Sequence, residues 1–73
     1  MNLITCPTGA DVEIASVTVP DAARLRLQEI GLRVGGRVRV TQRTAFGARV
    51  VAVGGTRLAL DRATAAAVTV RPT

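Results

Sequence analysis

Apolar residues recur along this chain at two different periods, and the switches between them mark out its elements. Val12 and Ile14 alternate with polar or charged neighbours, and Val17 and Val19 continue the alternation on the opposite phase. A period of two is that of a strand with one buried face, so a strand is expected over 12–19. The slip near Ala15-Ser16 predicts a β-bulge or sharp bend within it. Pro20 ends this strand. Ala23, Leu27 and Ile30 follow at i, i+4 and i+7, a narrow apolar seam on a helix with Asp21 as its N-cap and Arg24 and Gln28 opposite. The seam predicts that the helix plugs the core, with Leu25 off the seam and exposed. Gly31 offers the positive φ that ends helices, and Leu32 stands where an apolar residue folds back onto the last turn.

Past the turn at Gly35-Gly36 the period returns to two. Val38 and Val40 alternate with Arg37, Arg39 and Thr41, which predicts a strand with one buried and one wet face. The loop from Thr44 to Arg49 carries Phe46, the chain's one aromatic residue. Val51 and Val53, then Gly54-Gly55, then Leu58 and Leu60 predict a two-residue hairpin that pairs Val51 with Leu58 and Val53 with Thr56. Asp61 is the expected cap of a short helical or 3₁₀ turn reaching Ala66, and Val68 and Val70 form a last strand stopped by Pro72. Ahead of all this, Leu3, Ile4 and Cys6 make an N-terminal arm that turns at Pro7-Thr8-Gly9. The sum is a mainly β fold. Five short antiparallel strands with one helix inserted between the first two, and one 3₁₀ turn, predict a small SH3-like barrel, since closure is the usual way such a sheet hides its edges.

Length and composition narrow the chemistry. At 73 residues the chain holds one domain with a small core. Its net charge is +5, and all ten basic residues are arginine, which alongside abundant alanine is the codon signature of a G- and C-rich genome. No apolar run reaches membrane-spanning length, and the N-terminus lacks the basic and apolar regions of a signal peptide. With a lone thiol, these features predict a cytoplasmic chain. There is no histidine to act as a base, and Cys6, without a partner, is expected as a small buried apolar residue. The carboxylates Asp11, Glu13, Asp21, Glu29 and Asp61 are scattered, and no phosphate-binding loop occurs. The expectation is a non-catalytic protein without cofactor, structural zinc or a specific ferrous iron site.

What remains is surface. Arg37, Arg39 and Arg43, joined by Thr41, are expected on one strand face; a solvated face is the ordinary reading, and docking to an acidic protein surface or to phosphates the functional one. Leu25, Leu32 and Phe46 would complete a partner-binding patch if partly uncovered. A basic nucleic-acid-binding barrel is the alternative, weakened by the lack of aromatic platforms for bases. The same lack argues against a groove for proline-rich peptides.

The segment Arg26 to Val40, RLQEIGLRVGGRVRV, resembles the FeoA family's pattern Arg-Leu-x-x-Leu-Gly-Leu-x-x-Gly-x-x-Val-x-Val. The likeness extends to Leu3, Pro7 and Gly9, to the Ile14 strand, to Gly55–Leu60 and to Ala66–Val70. Two positions depart from it: Gly47-Ala48-Arg49 replaces a Gly-Asp-Pro type loop, and Val34 replaces a proline ahead of the turn. The resemblance implies a small cytosolic SH3-like barrel. It implies a role as accessory to FeoB, the membrane transporter of bacterial ferrous iron uptake, whose cytosolic portion contains a GTP-binding domain. The same barrel occurs at the C-terminus of iron-dependent repressors of the DtxR type. With its own methionine and no helix-turn-helix, this chain is expected to stand alone.

Overall fold

The computed structural model describes all 73 residues. In chain order it has β1 (Asp11–Val17), α1 (Asp21–Glu29), β2 (Arg37–Arg43), a 3₁₀ turn (Ala45–Gly47), β3 (Arg49–Val53), β4 (Thr56–Leu60), α2 (Arg62–Ala66) and β5 (Val68–Pro72). The strands make one antiparallel sheet in the order β4-β3-β2-β1-β5, with the helix inserted where expected. The sheet is bent but not closed, because β4 and β5 are its two edges and do not pair with each other. The N-terminal arm covers one of those edges instead. Val70 donates to the Met1 carbonyl at 2.7 Å, Leu3 donates to that of Val68 at 3.2 Å, and Asn2 bridges Thr69.

The bend has a local cause in each of two strands. In β1 the pairing with β5 runs Ile14 to Val70 and then Ser16 to Thr69, so Ala15 is an extra residue. Ile14 and Val17, three apart, therefore both face the core opposite Val70 and Val68, which are two apart. In β2 the pairing with β3 runs Val40 to Val51 and then Gln42 to Val50, leaving Thr41 extra; its hydroxyl donates to the Val50 carbonyl at 3.2 Å. The first bulge was expected, the second was not. The hairpin has the expected register, and Asp61 caps α2 by accepting the Thr64 N–H at 2.7 Å.

The helix departs from expectation. Pro20 occupies the N-cap position, its carbonyl accepting from Arg24 at 2.9 Å, while Asp21 is the first helical residue and pairs with Arg24. Nor does α1 plug the core. None of its residues is buried, and Ile30, at the C-cap, is 45% exposed. The plug is Leu32, 0% exposed and part of the 14-residue core cluster against which Leu27 packs. Gly31 makes this geometry, at φ +101°. The Gly31 N–H reaches the Gln28 carbonyl at 3.1 Å and the Leu32 N–H reaches that of Leu27 at 2.8 Å, the two bonds of a Schellman cap.

Truncating the plug tests this account. Leu32→Ala should lower unfolding free energy by about 2–5 kcal/mol, whereas Ile30→Ala should cost under about 1 kcal/mol, both read from denaturant melts. Gly31→Ala should cost about 2 kcal/mol, because its φ disfavours a side chain and the new Cβ would stand 2.7 Å from Val53 Cγ1. Gly55→Ala, with nothing within 4 Å, is the neutral control.

Candidate functional site

Two separate polar regions come from the strands. On the outer face of β1 and β2, residues that alternate with buried valines must point to solvent, and cross-strand pairing decides which meet. Asp11 lies opposite Arg39, and Glu13 lies between Arg37 on β2 and Arg71 on β5. Arg39 donates to both carboxylate oxygens of Asp11, Nε to Oδ1 at 2.9 Å and Nη2 to Oδ2 at 3.0 Å. Arg71 Nη2 donates to Glu13 Oε1 at 3.1 Å. The hydrogen bond from Arg39 holds the Asp11 carboxyl below its ordinary value, helped by the charges of Arg39 and Arg37. Of this row only Arg37 is exposed and without a carboxylate of its own.

Arg43 does not belong to that row. The extra residue at Thr41 reverses the phase of β2, so Arg43 lies opposite Arg49, which is only 7% exposed, on the core side of the sheet. Arg49 is tied to the chain by carbonyls. Its Nη1 donates to Ala48 at 3.0 Å and its Nη2 to Ile4 at 3.1 Å, which pins the N-terminal arm to β3. Nε has no partner and no carboxylate pairs with the guanidinium, so a buried charge stands uncompensated here. Cys6 is buried nearby; burial pushes its thiol up, and the charge of Arg43 offsets part of that. The buried Arg49 is a feature that its place at the start of an apolar strand conceals.

The apolar candidates separate as well. Leu25 is 58% exposed on α1, and Phe46 is 96% exposed on the loop before β3. Leu32 is buried, so it offers nothing to a partner, for the reason that it is the plug of the core. Ile30 and Val34 are exposed beyond the end of α1. The three shallow clefts are small and mixed in lining; one runs between α1 and α2 beside Val19, Ala23, Leu27 and Thr64. No three His, Cys, Asp or Glu side chains come together, and no helix is long and apolar enough to cross a membrane.

Comparison with known proteins adds what geometry alone does not. The FeoA domain model matches residues 1–72. Among solved structures, the FeoA protein from Chlorobium tepidum is 30% identical, with a TM-score of 0.89 over 99% of this chain and 70% of that one. Stenotrophomonas maltophilia FeoA, solved with zinc, described as an SH3 domain protein and proposed as a bacterial ferrous iron transport activating factor, is 32% identical. Its TM-score is 0.79 over 97% of this chain and 89% of that one. ScaR, solved with bound zinc, shares the fold, at 22% identity and a TM-score of 0.84 over 100% of this chain, but the match takes up only 37% of that one. No curated protein sequence matches.

The ion pair at Asp11 makes stability depend on pH. Because its folded-state pKa is depressed, its contribution is complete above the unfolded value of about 3.9 and is lost as pH falls through the lower folded value. Asp11→Asn should therefore melt below the parent at pH 6. The two curves should converge as pH falls below the ordinary carboxylate range and through the lower folded value.

Proposed function

The chain belongs to the FeoA family, and on that premise we propose that it is a non-catalytic cytosolic accessory of bacterial ferrous iron transport. It works by contact with the cytosolic region of a FeoB-type transporter. The observation that supports this reading is the family match over residues 1–72, almost the whole chain. The donor set agrees with it. Ferrous iron sites draw on histidine and clustered carboxylates, and this chain has no histidine and carboxylates that are each engaged or isolated. Iron is the cargo of the partner, and the accessory offers a surface.

Leu25 on α1 is the contact residue we assign to that surface, with Arg37 as the free cation of the outer row. Apolar burial acts on contact and sets how long a complex lasts, whereas exposed charge acts over a Debye length, about 8 Å at physiological salt, and sets encounter.

Binding of the purified chain to the cytosolic region of its cognate transporter tests the proposal. Leu25→Ser should speed dissociation about ten-fold and leave the melting temperature unchanged. Arg37→Gln should slow association at low salt and leave dissociation alone. Absence of binding by the parent, together with unchanged ferrous iron uptake in a strain lacking the protein, would sink the reading.

A further inference from the structure

Phe46 is the chain's one aromatic residue, and its ring stands 96% exposed. Its backbone sits at φ 62° and ψ 21°, in the left-handed region that bulky side chains avoid. Asparagine or glycine would occupy that position with less strain and would put no ring into water. The fold makes no use of the ring, which is neither in the core nor among the apolar residues packed against it. The loop is also held in place. The N–H and the hydroxyl of Thr44 both reach the Ala48 carbonyl, at 3.0 and 3.1 Å, so the ring is presented from a closed turn.

Cations surround the base of this turn. Arg43 faces Arg49 across β2 and β3, and Arg62 lays its aliphatic stem against Gly47, where an added Cβ would stand 2.8 Å from its Cδ. No carboxylate pairs with any of the three, and the neighbouring acid, Asp61, is engaged with the Thr64 N–H. We propose that the Phe46 turn is a peripheral docking point for an anionic phospholipid surface. The ring enters the boundary between headgroups and acyl chains while Arg43 and Arg62 meet the phosphates. A protein partner would ask for an apolar anchor ringed by further contact area, and this ring protrudes alone. Bases stack on aromatic residues in series, and this chain has one. A bilayer asks only for an apolar wedge with cations beside it. The net charge of +5 acts in the same direction, and each arginine near such a surface adds about five-fold in affinity.

The chain has no tryptophan or tyrosine, so Phe46→Trp places a unique fluorophore at the turn. Its emission should shift to the blue with phosphatidylglycerol vesicles at low salt, should not shift with phosphatidylcholine vesicles, and should return as salt is raised. Phe46→Asn, which suits the left-handed backbone, should keep or raise the melting temperature while weakening cosedimentation with phosphatidylglycerol vesicles at least about ten-fold. Arg43→Gln with Arg62→Gln should weaken it about 25-fold. No blue shift with phosphatidylglycerol, or full vesicle binding by Phe46→Asn, overturns the proposal. A response to single-stranded oligonucleotide but not to vesicles overturns it equally and assigns the turn to nucleic acid.

Discussion

Everything in this fold depends on two strands each carrying one residue more than their partners. Ala15 in β1 and Thr41 in β2 have no cross-strand counterpart, and each shifts by one the alternation that decides which side chains face inward. Without the first, Val17 would turn to solvent while Val68, its partner on β5, stayed inside. The same two residues increase the local twist, so the rephasing that fills the core is also the bending that wraps the sheet around it. A chain this small has little apolar area to lose, and each misdirected valine would remove a large share of it.

The inserted helix is supported from its exit. Nine residues of helix are marginal alone in water, and α1 buries none of its own. What fixes it is the Schellman cap that delivers Leu32 into the core and leaves Leu27 packed against it. The helix thus lies on the domain as a projecting element whose outer side is free. That free side carries Leu25, the one apolar candidate on a regular element that the structure leaves uncovered.

Features set by neighbouring residues were legible in the sequence. The Gly54-Gly55 hairpin, the Asp61 cap, the positive φ at Gly31 and the slip in β1 all stand as expected, because each is announced by residue type or by an apolar residue out of phase. The slip in β2 is silent. Thr41, Gln42 and Arg43 are all polar, so no apolar residue after Val40 shows the change of face, and Arg43 was placed in a row it does not share with Arg37 and Arg39. The helical seam misled because Ile30 stands at the C-cap, past the last residue with helical geometry, and because the next core residue reaches inward across a glycine. Closure was expected from the general cost of open edges; here the arm covers β5 by pairing that no local pattern displays. The candidate site was half legible. The exposure of Leu25 and Phe46 followed from position and from loop context, but the ion pairs that occupy Arg39 and the burial of Arg49 are long-range facts.

The single thiol has a consequence for how this molecule can be watched. Cys6 is fully buried, with a pKa raised by that burial, so a thiol-directed reagent reaches it only when the structure opens. The segment that carries it is attached to the sheet by a handful of hydrogen bonds, among them Val70 to Met1, Leu3 to Val68 and Arg49 to Ile4. Lifting that segment breaks those few bonds and withdraws Leu3 and Cys6 from the core. Labelling of Cys6 thus reports any opening that exposes the first six residues, and it requires no engineered probe.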